Sequence, residues 1–375
     1  MEALRQQKTE EACRLLGEAL AIDGAFQPGW LNLATAYRID GRHDDALAAV
    51  RTALTLDPLS FRALMLRANI LEAQGKTRSA AQAYSIALTQ QPADSALDEG
   101  LRRAAAHGRE LYRAFLGDLE GFLRREAPPE PVLGRSAETR RMTDFFGHVL
   151  GKRRPYHSEP TNFYYPGLPS IEFYDRDDFP WLPRVEALTP QIRAELEAVL
   201  DQPLEDDLEP YMQRPPEEPV QQWGELNQSL KWSAYHFSIY GQHFEAHRRR
   251  CPITAAMLDS VGQPDLPNRS PSAMFSILQP KTHIPPHTGA GNVRLLCHLP
   301  LIIPPNCRFR VGNSIREWIP GEAMIFDDTI EHEAWNDSDE VRAVLIFDLW
   351  HPALSETERH YVTRLLSAID RFAEE

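Results

Sequence analysis

Thirteen histidines are spread through the 375 residues, and most need no explanation beyond surface or core packing. Three clusters differ. His283 and His287 flank Ile-Pro-Pro, His298 closes Arg-Leu-Leu-Cys-His, and His332 ends Asp-Asp-Thr-Ile-Glu-His. His283 and His287 have the i, i+4 spacing of a helical zinc pair, but Pro285 and Pro286 between them cannot sit inside a helix. These histidines therefore belong to a strand or loop, and no nucleophile or general-base carboxylate stands beside them in the pattern of a zinc hydrolase. Two histidines far apart in the chain, His287 and His332, with short strands between, suit the non-haem iron site of a double-stranded β-helix, ordinarily two His and one carboxylate. Arg342, ten residues beyond His332 in an apolar strand, supplies what a dicarboxylate cosubstrate requires: two charge-assisted hydrogen bonds from one guanidinium.

The elements that must position these groups are short. Runs 273–279, 293–303, 307–311, 323–327 and 341–350 are rich in β-formers and separated by Gly, Pro, Asn and Asp, which predicts a sandwich or barrel. A helix over 189–200 is expected to start with Thr189 as N-cap and Pro190 at N1, and another is expected near 139–150. Ser355 and Glu358 read as a capping box opening a C-terminal helix over 355–373. Asp327 and Asp328 are read as turn formers and kept out of the metal shell. His283 and His351 are read as structural.

Towards the N-terminus a repeat is plain: Ala34, Gly41, Ala46, Ala53 and Pro58 recur 34 residues later as Ala68, Gly75, Ala80, Ala87 and Pro92. Ala12, Ala19 and Asp23 continue the register backwards. This pattern resembles the tetratricopeptide repeat, in which small residues let paired helices approach closely and stacked pairs form a concave surface for a peptide or protein segment. A helix over 97–125 would cap the stack. The expected organisation is a helical repeat domain over 1–126, a proline-rich linker over 127–134, and a second domain over 135–375 with its β-core at about 225–352.

A formal charge of −14 argues against a nucleic-acid-binding surface. Cys13, Cys251, Cys297 and Cys307 form no C-x-x-C pair. With no apolar signal stretch and no membrane-length apolar run, the reading is cytoplasmic without a transmembrane segment.

Four stretches carry a specific resemblance: Phe-Ser-Ile-Leu-Gln-Pro-Lys-Thr-His-Ile-Pro-Pro-His-Thr-Gly at 275–289, Asn-Val-Arg-Leu-Leu-Cys-His-Leu at 292–299, Ile-Phe-Asp-Asp-Thr-Ile-Glu-His-Glu-Ala-Trp at 325–335, and Asp-Leu-Trp-His-Pro at 348–352. Together, over roughly 160–352, they resemble the aspartyl/asparaginyl β-hydroxylase family. The resemblance implies an α+β chain whose double-stranded β-helix (jelly-roll, cupin-like) core follows the repeats. It implies His287 and His332 as iron(II) ligands, and Trp232, Ser276, His298 and Arg342 as the 2-oxoglutarate pocket. Gly289 stands where His-x-Asp enzymes place their third ligand, so water would complete the coordination. One departure is Leu296, where many members have the second arginine of Arg-Leu-Arg; Arg294, Leu296 and His298 share one strand face by period-two alternation.

The expected activity is hydroxylation of an unactivated carbon, foremost Cβ of Asp or Asn in a peptide or protein, with Arg294 meeting the substrate's carboxylate or amide. The alternatives are an acyl chain of lipid A or a small amino acid, or a non-catalytic repeat protein with a vestigial core.

Overall fold

The computed structural model describes residues 9–128, 137–202 and 207–374, which fall into two compact units, Met1–Lys152 and Arg153–Glu375. The first unit is all helix: α1 (Thr9–Ile22), α2 (Gln27–Ile39), α3 (His43–Leu56), α4 (Phe61–Ala73), α5 (Thr77–Leu88), α6 (Glu99–Glu126) and α7 (Ala137–Val149). The repeated alanines explain the stacking. Ala34, Ala46, Ala53, Ala68, Ala80 and Ala87 are all fully buried, small side chains that let paired helices approach closely. Gly41 and Gly75 end α2 and α4 at φ +76° and +73°, a left-handed conformation that glycine adopts without strain. The 6→1 bonds Arg42 N–H to Tyr37 O and Lys76 N–H to Leu71 O close both helix ends. Ala19, in the first partial copy, is exposed.

The helix anticipated near 139–150 is α7, and it groups with the first unit: Arg124 stacks on Phe146 at 5.4 Å and Lys152 pairs with Glu120. The expected proline-rich linker lies, from residue 129 onward, outside the described residues.

The second unit is built on two antiparallel sheets. Its elements in order are α8 (Leu182–Glu186), α9 (Thr189–Asp201), β1 (Glu209–Pro210), β2 (Trp232–Ile239), β3 (Gln242–His243), α10 (Glu245–Arg250), α11 (Pro252–Ser260), β4 (Ala273–Leu278), β5 (Thr282–His287), β6 (Arg294–Ile302), β7 (Cys307–Val311), β8 (Ser314–Glu317), β9 (Met324–Phe326), β10 (His332–Asn336), β11 (Arg342–Trp350) and α12 (Glu356–Glu374). The larger sheet runs β1-β2-β4-β11-β6-β9 with β3 on β2, and the smaller runs β5-β10-β7-β8. From β4 onward the chain alternates between the sheets except at the β7–β8 hairpin, which stays in the smaller one, the winding of a double-stranded β-helix.

Alternation of side chains divides the larger sheet. Tyr235, Phe275, Leu295, Leu299, Leu345 and Phe347 point outward under Leu182, Ile192, Leu196 and Leu258, and each such side chain contributes about 1.5–3 kcal/mol by burial. The opposite face meets the smaller sheet through Trp232, Met274, Phe309, Phe326, Val344 and Ile346. Pro285 and Pro286 fit because β5 is an edge strand, paired only with β10, and because the register shifts between Ile284 and His287, where neither proline has a pairing partner.

Two local expectations are settled here. Ser355 and Glu358 do form the capping box: Ser355 N–H donates to the Glu358 carboxylate at 2.8 Å and Glu358 N–H to Ser355 Oγ at 3.3 Å. Thr189 is not an N-cap. Leu188 before it is already helical (φ −85°, ψ −5°), continuing the turn out of α8, and the Thr189 hydroxyl is buried without a partner. Among the described residues no helix is long and apolar enough to cross a membrane.

Candidate active site

His287 is the last residue of β5 and His332 the first of β10, and in the antiparallel register the two are direct partners. Forty-four intervening residues therefore vanish as distance: the imidazole centroids lie 4.0 Å apart at 52°. Each ring is oriented by its own backbone. Nδ1 of His287 bonds Pro285 O at 2.8 Å and Nδ1 of His332 bonds Ile330 O at 3.0 Å. Carbonyl oxygens only accept, so both Nδ1 atoms carry the proton and each Nε2 keeps a lone pair for a metal. Burial depresses both pKa values, that of His332 to about 4, and the neighbouring His332 adds to the effect on His287. Trp223 meets the His287 ring edge-on at 5.0 Å, while Phe326 and Phe309 flank His332.

Among the described residues no three His, Cys, Asp or Glu side chains are grouped to hold a metal. The reason is visible at Gly289. A Cβ there would lie 2.1 Å from Asp328 Oδ2, so the carboxylate of Asp328 fills the space a side chain at 289 would need. Asp328 is buried and pairs through Oδ2 with Arg294 Nη2 at 3.3 Å, while its Oδ1 has no partner. Burial raises its pKa, opposed by Arg294. Its neighbour Asp327 behaves as the turn former expected, accepting from Thr329 N, Thr329 Oγ1 and Ser158 Oγ. The two aspartates, alike in sequence, thus differ in role; only the cavity distinguishes them.

Deeper on the same inner face lies a second polar group. Arg342 of β11 is 1% exposed, its guanidinium 4.7 Å over the Trp318 ring, with Nε and Nη1 lacking any partner. Burial pulls its pKa down to about 10. His298 is packed by Phe309, Trp318 and Phe326, its Nδ1 unpartnered and its pKa well lowered by burial and by Arg342. Ser276, on the adjacent β4, accepts from Trp232 Nε1 at 3.0 Å. A buried polar atom without a partner costs about 1–3 kcal/mol, so a dicarboxylate bound here would satisfy donors the fold leaves open. The residues present fit such a group.

A cavity of about 860 Å³ opens onto His287, Arg294 and His332. Trp232, Ser276, His298 and Arg342 lie behind its wall rather than on it. That wall is apolar where three strands meet, at Leu296, Met274 and Ile346. His236, buried with Nδ1 unpaired, adds one polar atom. Trp223, Trp318 and His236 do not stand out in the sequence, and Asp328 reads there only as a turn former. Their signal was available only as inward positions of strands or turns whose partners were unknown.

His283 and His351 are structural. His283 bonds Glu333 at 2.9 Å and stacks on Trp335, and His351 bonds Tyr174 at 2.6 Å while accepting from Ala353 N–H.

Fold and site define a double-stranded β-helix with a two-histidine centre, joined to a tetratricopeptide repeat unit. The aspartyl/asparaginyl β-hydroxylase family profile matches residues 186–352, and the tetratricopeptide repeat profile matches 1–60 and 31–95. The ornithine lipid ester-linked acyl 2-hydroxylase of Rhizobium tropici is 35% identical over 221 residues, 57% of this chain and 71% of that protein. The mouse aspartyl/asparaginyl β-hydroxylase is 37% identical over 135 residues, 36% of this chain and only 18% of its relative. The TPR2B-domain:pHsp70 complex of yeast Sti1 is similar at 21% identity over 31% of this chain and 90% of that one, with a TM-score of 0.27. The chain belongs to the aspartyl/asparaginyl β-hydroxylase family, a family of hydroxylating enzymes.

Proposed function

We propose that the chain is an iron(II)- and 2-oxoglutarate-dependent hydroxylase acting on an unactivated carbon within an apolar, acyl-type chain. The observation that carries the reading is the pair His287 and His332, 4.0 Å apart with both Nδ1 atoms bonded to backbone carbonyls. In this reading the two Nε2 atoms hold the iron. Arg342 clamps the distal carboxylate of 2-oxoglutarate, assisted by Ser276 and His298. The bound iron and cosubstrate would supply, with dioxygen, the oxidising power to hydroxylate a C–H bond. Protein groups do the remainder: Trp223, Phe309 and Phe326 exclude water around the histidines, and Arg294 holds Asp328 in place.

Three features favour an acyl chain over an Asp or Asn side chain. Leu296, Met274 and Ile346 form an apolar wall on the cavity. Arg294, the expected partner of a substrate carboxylate, is already paired with Asp328. The R. tropici relative is named for acyl hydroxylation. The Asp/Asn reading is favoured by the mouse relative and requires a substrate carboxylate to displace Asp328 from Arg294. The repeat unit would hold a peptide or protein segment. A vestigial core is disfavoured, since it would keep a buried, unpartnered Arg342 with no return.

Anaerobic titration with iron(II) and 2-oxoglutarate tests the cofactor reading through the metal-to-ligand charge-transfer band. Succinate release driven by acyl-ester substrates, but not by Asp- or Asn-containing peptides, tests the substrate. No charge-transfer band would end the proposal; peptide-driven turnover would replace the substrate.

A further inference from the structure

The C-terminal helix α12 has two apolar faces, and only one is used. Val362 and Leu366 are buried against Leu266, Val293 and Leu354, with Phe163 and Tyr165 beside them. Tyr361, Leu365, Ile369 and Phe372, at i, i+4, i+8 and i+11, form a second stripe that faces solvent, with Phe372 82% and Tyr361 57% exposed. Exposed His360, Arg364 and Arg371 lie one residue earlier on the helix, beyond the acidic first turn of Glu356 and Glu358, so two arginines border the apolar stripe along its length. Neither arginine is in an ion pair among the described residues. On a chain of formal charge −14, two exposed arginines beside an apolar stripe give this helix face a charge complementary to an anionic surface. Aromatic and aliphatic residues bordered by arginines are what an interfacial helix needs to lie at a headgroup boundary.

The helix is also tied to the rim of the cavity. Asp370 receives both Arg269 Nη atoms at 2.7 Å and Asn268 Nδ2 at 3.2 Å, and Asn268, Arg269, Leu266 and Phe163 all line the cavity. Tyr165, following exposed Tyr164, donates from its hydroxyl to Glu358 at 3.0 Å. Exposed Tyr240 stands on the cavity wall itself.

We propose that the outer face of α12 docks the protein on an anionic lipid bilayer, with Tyr361, Leu365, Ile369 and Phe372 entering the headgroup boundary, His360, Arg364 and Arg371 meeting lipid phosphates, and the cavity rim held against the membrane. An acyl chain then has a short path from the bilayer to the iron histidines. The inference deepens the acyl-chain reading and rests on it for its purpose, but docking is measured without turnover, so the two fail separately.

The test is co-sedimentation of the full chain with vesicles of phosphatidylglycerol and phosphatidylcholine, against phosphatidylcholine alone, at low and high salt. Binding should require the anionic lipid and weaken with salt as the arginine contacts are screened. Leu365→Glu with Phe372→Glu should abolish it. Arg364→Gln with Arg371→Gln should weaken it roughly 25-fold, about fivefold per arginine. All four positions are exposed, so circular dichroism and the iron/2-oxoglutarate absorption band should stay as in the parent. Absence of vesicle binding, or binding unchanged in both double variants, overturns the proposal. So does light scattering that shows a dimer broken by Phe372→Glu and no vesicle binding, because the stripe would then be covered by a second copy.

Discussion

Replacing Arg342 by methionine sets stability and cosubstrate binding against each other. The Arg342 cation is buried without a partner for Nε or Nη1, and its pKa falls to about 10. That fall corresponds to roughly 3 kcal/mol of destabilisation of the buried cation. Because the folded pKa of this base lies below the unfolded one, the penalty is fully present below about 10 and fades as pH rises from there towards the ordinary guanidinium range. Near neutral pH it therefore acts in full. Arg342→Met keeps the aliphatic stem and removes the charge, so the ligand-free protein should melt higher, by at most roughly 6–12 °C for a unit of this size. Binding of 2-oxoglutarate should move the opposite way. Losing a buried charge partner costs about 2–5 kcal/mol, a weakening of about 30-fold to several thousand-fold. Anaerobic thermal melts and charge-transfer titrations of parent, Arg342→Met and Arg342→Lys, with and without 2-oxoglutarate, read both effects. A variant that melts lower than the parent and binds 2-oxoglutarate within about threefold of it would refute the reasoning.

Three other outcomes follow from the same geometry. His332 has its pKa lowered by burial from 6.5 to about 4, so the stability it contributes is present above 6.5 and lost as pH falls through about 4; melting of the metal-free protein should decline across that window, and His332→Asn should flatten the decline. Gly289→Asp should not create a third metal ligand but collide with Asp328, lowering stability by about 1–3 kcal/mol in denaturant unfolding, and Asp328→Gly in the same chain should relieve it. In the repeat unit a Cβ on Gly108 would meet Tyr84 Cδ1 at 2.6 Å, so Gly108→Ala should destabilise that unit by about 1–3 kcal/mol, seen as an earlier helical transition by circular dichroism.

Local chemistry along the chain was enough to set the repeats, the strands at 273–279, 293–303, 307–311, 323–327 and 341–350, and the capping box of α12. Each depends on spacing, propensity or a turn residue within a few positions. Proline chemistry alone likewise excluded a helical His283–His287 pair. Long-range pairing lay beyond it. The ring contact of His287 and His332 exists because β5 and β10 pair in one register, and a shift by one residue would send one of the rings to the other face. The same holds for Asp327 and Asp328. Adjacent and chemically identical, they read as one turn, and only the approach of Gly289, from the loop after β5, and of Arg294, from β6, makes Asp328 part of the cavity. Arg294 illustrates the converse, since alternation placed it on the cavity face but could not reveal that a carboxylate already occupies it. Residue type and period are properties of the neighbouring backbone, whereas burial, partnership and open lone pairs are properties of what the fold brings alongside.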